Sequence, residues 1–555
     1  MKGKTLVTSR RRFLGVAGAG LLAGPQASAG PAGAPTPKAP FRILFGNDTT
    51  NILSCPSPFH KRGEPFTAEA LRASVAETAG TGIDAHLLQP GLGWVPWWRS
   101  EVLPMKRHVA WLKAKGDKPN SFESYVLNGG DVVRVFIDAC RACGEAPFIS
   151  IRLNDAHHIY RGMAAKPEER ERALAEFQFF ADHPECRIGP DAEGGARMQY
   201  MLDWGRPEVR AYKLRLIEEL CANYDFAGLE LDFMRHWIFF NLKKTTPEQR
   251  RAIQLDFVRS VRQSLDRAAK PGGRRWLCVR VPSYAEAYDA TGIDLAAFAA
   301  AGVDMVNASS HYFTDCQLEL AEMRRRLPAS AALYAEVQFA SATSQRAAAP
   351  DGKTFVPVNR RTTPEQFNTV AHQAYAQGAD GVSAFNFQYY RGTFNPTDVF
   401  GAPAEPPYDV FRRLSDRAWL ARQPQHYFLG LGQGQPKKTG RPFQDPVKPG
   451  EPITQTLTLA PPEGGWRKGG RLRIQARDAL GASRWAAALN GVTLEPTPDV
   501  SEPYPNPYAV GLGTREDYRA WAIPAALLKS GPNEITLTLA EGKAAPLTYL
   551  DLAAY

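Results

Sequence analysis

Apolar runs in the 555 residues all fall short of the roughly 18 needed to cross a bilayer, so no stable membrane insertion is expected. No G-x-G-x-x-G follows the first strand-like segment, which argues against a dinucleotide-binding sheet. G-x-S-x-G is absent, and with it the elbow of a serine hydrolase. So are H-x-H and H-E-x-x-H, and the adjacent His157 and His158 diverge on an extended chain, so no metal is expected. Cysteine is scarce. There are seven, an odd number that leaves at least one thiol free, and Cys140-Arg-Ala-Cys143 has no second Cys/His pair at zinc-finger spacing. No cofactor is implied.

What is present begins with an export leader. Residues 9–29, SRRRFLGVAGAGLLAGPQASA, join consecutive arginines to a short apolar stretch and a small-x-small end, Ala27-Ser28-Ala29. Ser-Arg-Arg-x-Phe-Leu resembles the bacterial twin-arginine signal, which implies cleavage after Ala29, a linker over 30–40 and a periplasmic or extracellular address. Removing five basic residues and no acids with the leader lowers the formal charge from +10 to +5. The mature chain then has no block of five or six like charges, so a nucleic-acid footprint is not supported and no nucleic-acid partner is expected.

The remaining chain alternates β-rich runs with amphipathic helical stretches. The runs are 41–47, 82–90, 146–155, 226–234, 275–283, 303–311, 331–339 and 380–388. Helical patterns over 67–80, 207–224, 247–269 and 363–379 open on Thr-x-Glu or on a proline and close near glycine, as caps require. Eight such units predict an α/β fold, a (β/α)8 barrel over 41–425, with a doubly wound open sheet as the alternative. Residues 156–206 form a long polar and aromatic connection on the active face of such a barrel. A Gly/Pro-rich linker over 426–452 follows. Short alternating runs over 453–555 then predict a β-sandwich, with Asn490-Gly491 as a hairpin turn. Its segments ALNGVTL and IPAALLKSGPNEITLTL resemble the galactose-binding-like sandwich attached to many carbohydrate enzymes.

In a barrel, function sits at the carboxyl ends of the strands, and side chains alternate in and out. In YDFAGLELDFMRHW (224–237), Leu229, Leu231 and Phe233 share one parity, and Gly228, Glu230, Asp232 and Met234 the other. Both acids therefore face the axis, Glu230 deeper and Asp232 nearer the mouth. Arg152 and Arg280, if inward, flank Glu230 as an internal ion pair. Asp232 is then the candidate catalytic carboxylate. Glycoside cleavage needs two carboxyl groups across the bond, and Glu336 in LYAEVQF supplies the second, with Asp315 as the alternative. Further strand-end residues suit sugar binding, aromatic faces stacking on pyranose rings and amides or imidazoles bonding hydroxyls. They are Asn47 and Asp48; Trp94, with Trp97 and Trp98; Asn154, Asp155, His157 and His158; His236 and Trp237; His311 and Tyr312; Gln338; and Asn386, Gln388 and Tyr389.

Residues 202–237 resemble the fourth-strand region of bacterial glycosyl-hydrolase-like barrels through Asp203, Trp204, Pro207, Val209, Arg210, Tyr224, Asp225, Gly228 and Asp232. Many relatives carry a second Asp where Phe233 stands, and they lack the Arg-His-Trp of 235–237. The resemblance implies a carbohydrate-active barrel without naming a substrate. The expected function is an exported glycoside hydrolase acting on a carbohydrate polymer or oligosaccharide. The alternatives are a non-catalytic carbohydrate-binding protein on a degenerate barrel and a polysaccharide lyase using His or Tyr as base. Nothing in the sequence indicates an oligomeric state.

Overall fold

The computed structural model describes residues 37–190, 192, 195–348, 355–395, 403–430, 443, 445–508 and 512–555. The export signal and most of the linker after it lie outside the described residues. The eight expected strands all form. They are β1 (Ile43–Asn47), β2 (Ala85–Leu88), β3 (Ala146–Arg152), β4 (Gly228–Asp232), β5 (Trp276–Pro282), β6 (Met305–Ser309) and β7 (Ala332–Gln338), and, after a hairpin of β8 (Ala340–Ala348) and β9 (Phe355–Arg361), β10 (Gly381–Phe385). The parallel strands close in the order β1-β10-β7-β6-β5-β4-β3-β2, which disposes of the open-sheet alternative. Among the described residues no helix is long and apolar enough to cross a membrane.

Local chemistry sets the helix starts. Thr246 and Thr363 each cap a helix, over Pro247–Arg267 and Pro364–Ala376, and the Gln three residues on returns the bond to the cap. Proline at the first helical position lacks an N–H that would go unpaired anyway. Leu229, Leu231 and Phe233 pack outward in the large apolar layer between strands and helices. Inside, the barrel floor is apolar, built from Leu44, Leu87, Phe148, Met305, Ala332 and Tyr334. Gly228 belongs to that floor, since a Cβ there would meet the Phe148 ring at 2.2 Å. Above it the inward positions turn polar.

The chain continues into β11 (Gln425–Gly430), β12 (Ile453–Leu459), β13 (Gly470–Ala476), β14 (Arg484–Leu489), β15 (Val492–Thr493), β16 (Glu495–Thr497), β17 (Tyr518–Ile523), β18 (Gly531–Glu541) and β19 (Leu547–Ala554). Two antiparallel sheets, β11-β19-β13-β17-β16 and β12-β18-β14-β15, share one apolar core and make the sandwich. Its first strand, Gln425–Gly430, starts at the last residue expected of the barrel and runs into the stretch expected as linker. Asn490 and Gly491, both at positive φ, turn the β14–β15 hairpin. The hairpin after β7 ties the two parts together, because Arg360 donates to Tyr518 Oη (3.0 Å) and to Glu502 (2.6 Å). Six of the seven cysteines are buried, all but Cys143.

Candidate active site

Two acids converge on one guanidinium beneath the barrel mouth. From β5, Arg280 grips Glu336 of β7 in a fork, Nε to Oε2 at 2.5 Å and Nη2 to Oε1 at 2.7 Å. Its Nη1 reaches Asp232 of β4 at 3.2 and 3.3 Å. Burial opposes the charge on Arg280, yet Glu336 and Asp232 hold it protonated more firmly than an ordinary arginine. Phe385 covers the guanidinium, 4.2 Å from the ring centroid. Glu336 also accepts from Ser309 Oγ (2.6 Å), Gln338 Nε2 and Asn307 Nδ2 (3.2 Å). Asp232 Oδ1 accepts the backbone N–H groups of Met234 (2.8 Å) and Arg235 (3.2 Å). Its Oδ2 has only longer contacts, to Gln89 and Arg280, both at 3.3 Å. Both carboxylates are 0% exposed.

Glu230 is not held by the two arginines. Register explains the difference: Arg152 and Arg280 stand opposite Asp232, one layer above Glu230, whose partners across the strands are Ser150 and Cys278. Glu230 accepts from Ser150 Oγ (2.8 Å), Cys278 Sγ (3.6 Å) and Asn307 (3.3 Å). Burial, then the charge of Asp232, push its carboxyl up to about 7. Arg152 instead pairs with Asp48 and with Asp155 (3.0 Å).

The mouth itself is lined by His157, Arg235, His236, Trp237, His311, Tyr312 and Tyr389, all partly exposed. His157 bridges Asp155 Oδ1 through Nδ1 (2.7 Å) and accepts from Arg235 Nη2 at Nε2 (2.5 Å). His236 Nδ1 accepts the Ala156 N–H at 3.1 Å. Burial, reinforced by Arg235, holds His236 and His311 well below the usual imidazole range; burial also lowers His157, partly offset by Asp155. The three rings are therefore neutral at neutral pH. Asp155, His157 and His236 can bring one ligand atom each within 4.8 Å, the geometry of a cation site. The hydrogen bonds already made by both imidazoles and the adjacent guanidinium work against a cation there.

His236, His311 and Asn386, each just past a barrel strand, have φ of 58, 72 and 57°. Left-handed backbone in residues other than glycine is strained and recurs at functional sites. Asn386 uses its turn to bond Asp48, accepting its N–H (2.9 Å) and donating to its carboxylate (3.2 Å). Burial would raise Asp48, but the charges of Arg152 and Arg235 prevail and hold its carboxyl below the usual range.

Several expected mouth residues are framework. Trp94 is 1% exposed, stacks on Phe177 and carries Lys213 Nζ 3.7 Å from its ring centroid, so it offers no sugar a face. Trp97 lies flat on Phe122 at 4.0 Å, and Trp98 donates to Glu219. The loop folds inward because Gly93, at φ +85°, sits where a Cβ would meet the Asp155 side chain at 2.6 Å. Asn154 clamps the carbonyls of Leu202 (2.9 Å) and Ile238 (2.7 Å). His158, about 100° round the helix from His157, packs against Phe180, where burial pulls it down to about 4. Gln388 points to Glu77, and Asn47 is bonded by Asn51. Asp315 lines a separate crevice beside Thr456 of the sandwich. Not among the expected site residues were Arg280 in its bridging role, Arg235, Ser309, Asn307 and Gln89. The β5 and β6 members were visible as polar residues at inward parity.

No family model matches the chain, and no curated protein matches it. Solved structures offer remote likeness. One is a glycoside hydrolase family 20 β-N-acetylglucosaminidase, at 13% identity and TM-score 0.39, over 68% of this chain and 70% of that one. Another is the PgaB (BpsB) glycoside hydrolase domain from Bordetella bronchiseptica, at 13% and 0.37, over 63% of this chain and 95% of that one. A third is α-L-fucosidase isoenzyme 2 from Paenibacillus thiaminolyticus, at 10% and 0.38, over 70% and 51%. All three are glycoside hydrolases. At such values this chain's site has to be read from its own geometry.

Proposed function

We propose that this chain is a glycoside hydrolase, exported by the twin-arginine route to the periplasm or beyond, that cleaves a poly- or oligosaccharide at the barrel mouth. The observation that carries this reading is the meeting of Asp232 and Glu336, from β4 and β7, on the single guanidinium of Arg280. Two carboxylates against one guanidinium leave a net negative charge in a water-poor site. Glycoside cleavage passes through an oxocarbenium-like transition state, so a fixed negative charge stabilises it more than the ground state. Glu336 is committed on both oxygens. Asp232 Oδ2, with only 3.3 Å contacts, is the oxygen with lone-pair capacity left for an anomeric carbon or an attacking water. Asp232 is thus the reacting carboxylate, and Glu336 completes the pair through Arg280. Asp232→Asn assayed on polysaccharide panels tests this: turnover should fall by about a thousandfold or more, since the reacting group is lost. Undiminished turnover by the folded variant ends the assignment.

One observation favours a second reading, a non-catalytic carbohydrate-binding barrel: neither carboxylate has any exposed surface. A glycan array with tight binding, and no product from any bound glycan, would select it.

A further inference from the structure

We propose that Arg235 is an anion receptor at the barrel mouth, and that the sugar bound there carries an oxyanion, a uronate carboxylate or a sulfate ester. This rests on the reading that the mouth is the carbohydrate site, and it names the substrate class.

Three arginines stand under or on the rim, and two are spoken for. Arg152 is held by Asp48 and Asp155, and Arg280 by Asp232 and Glu336. Among the described residues, no carboxylate lies within ion-pair distance of Arg235. Its Nη2 donates to His157 Nε2, its Nε is buried without a hydrogen-bond partner, and its guanidinium lies 5.2 Å from the Tyr312 ring centroid. A guanidinium partly withdrawn from water without a direct ion pair is costly, and a bound anion lowers that cost. Asp48 feels the charge of Arg235 at longer range, but it and Asp155 make their ion pairs with Arg152.

Position adds to this. The Arg235 backbone N–H bonds Asp232 Oδ1, so the guanidinium is anchored three residues from the reacting carboxylate. Beside it on the rim, His311 has a buried Nδ1 with no partner and packs 4.4 Å from Tyr312. Two unfulfilled polar groups beside an aromatic ring fit a charged sugar. The ring stacks on the pyranose, the imidazole bonds a hydroxyl, and the planar guanidinium takes the oxyanion.

The test is a panel of oligosaccharides matched in linkage, in neutral, uronate-containing and sulfated forms. Binding is measured by calorimetry on the full chain, Arg235→Gln and Arg235→Lys, with thermal unfolding as the check on folding. Asp232→Asn serves as background to prevent turnover. The expected result is that the bound members are anionic, that Arg235→Gln weakens them about 10- to 100-fold, as loss of a hydrogen bond to a charged group implies, and that the lysine variant recovers part. Whether the uronate or the sulfated arm binds identifies the oxyanion. The inference is overturned if no anionic member binds, or if Arg235→Gln binds them as tightly as the parent. The two proposals fail separately, with turnover read on the parent chain that keeps Asp232. Neutral glycans bound and cleaved would sink this one and spare the hydrolase. Anionic glycans bound through Arg235 but never cleaved would do the reverse.

Discussion

Replacing Glu230 with glutamine should make the protein more stable at alkaline pH and leave it unchanged at acid pH. The side chain is 3% exposed, and burial followed by the Asp232 charge moves its carboxyl from 4.5 to about 7, against the opposing pull of Arg280 and Ser150. In the unfolded chain it returns to its ordinary value. Between those two values the native state holds the proton more tightly, so unfolding releases a proton and stability falls as pH rises. Below the window the group is protonated in both states and carries no penalty. Above it the full penalty applies, and at 1.36 kcal/mol per unit it comes to about 3 kcal/mol. Glutamine keeps the shape, can still bond Ser150 and Asn307, and never ionises. Denaturant or thermal unfolding of parent and variant, from about pH 4 to 8.5, should give curves that coincide at the acid end and separate by up to about 3 kcal/mol at the alkaline end. The titrating groups that are not coupled to Glu230 are common to both proteins and drop out of the difference. Parallel curves would refute the account of Glu230 as a buried acid under charge pressure.

Arg280→Met should cost about 3–5 kcal/mol in unfolding measurements, because it strands Asp232 and Glu336 without their counter-ion; neutralising all three as Asp232→Asn/Arg280→Met/Glu336→Gln should recover most of the loss. Failure of the triple variant to recover would show that the triad is not the electrostatic unit. Trp94→Ala should cost about 3–5 kcal/mol by leaving a cavity beside Phe177 and Lys213, yet leave glycan affinity per folded molecule unaltered, whereas a sugar platform would show the reverse. His311→Gly relieves a φ of 72° and should raise thermal stability by up to about 1 kcal/mol while weakening glycan binding. A loss of stability instead would mean that the ring's packing on Tyr312 outweighs the backbone strain.

The barrel was legible because each of its strands is announced locally: β-branched or aliphatic runs bounded by turn residues, separated by capped amphipathic helices. The alternation rule also placed individual side chains correctly, with Leu229 and Leu231 in the outer apolar layer and Glu230 and Asp232 inside. The hairpin Ala340–Ala348/Phe355–Arg361 was not anticipated, because part of what its strands meet is the distant sandwich, through β11 and β19. The same is true of β11, whose partner β19 lies over a hundred residues away and enters the sheet at the chain's end.

Partners inside the site were harder to read than directions, for a physical reason. Parity says which side of a strand a residue occupies, but the level at which it meets its neighbour depends on the stagger between strands. One layer of stagger moves Arg152 and Arg280 from Glu230 to Asp232, and that changes the chemistry of both acids. Glu230, opposite Ser150 and Cys278, becomes an acid whose carboxyl is pushed up to about 7; Asp232, opposite both arginines, shares the guanidinium of Arg280 with Glu336. Composition misled in the loop after β2 for a related reason. Three tryptophans within five residues suggest an aromatic platform, but two glycines at positive φ, Gly91 and Gly93, fold that loop against β3, and the indoles become core. The Arg-His-Trp at 235–237 was the opposite case. It departs from the resembled family three residues after Asp232, and its guanidinium makes no ion pair with any described carboxylate. A departure that leaves a partly buried charge unpaired has a cost, and a charged ligand is the simplest thing that offsets it.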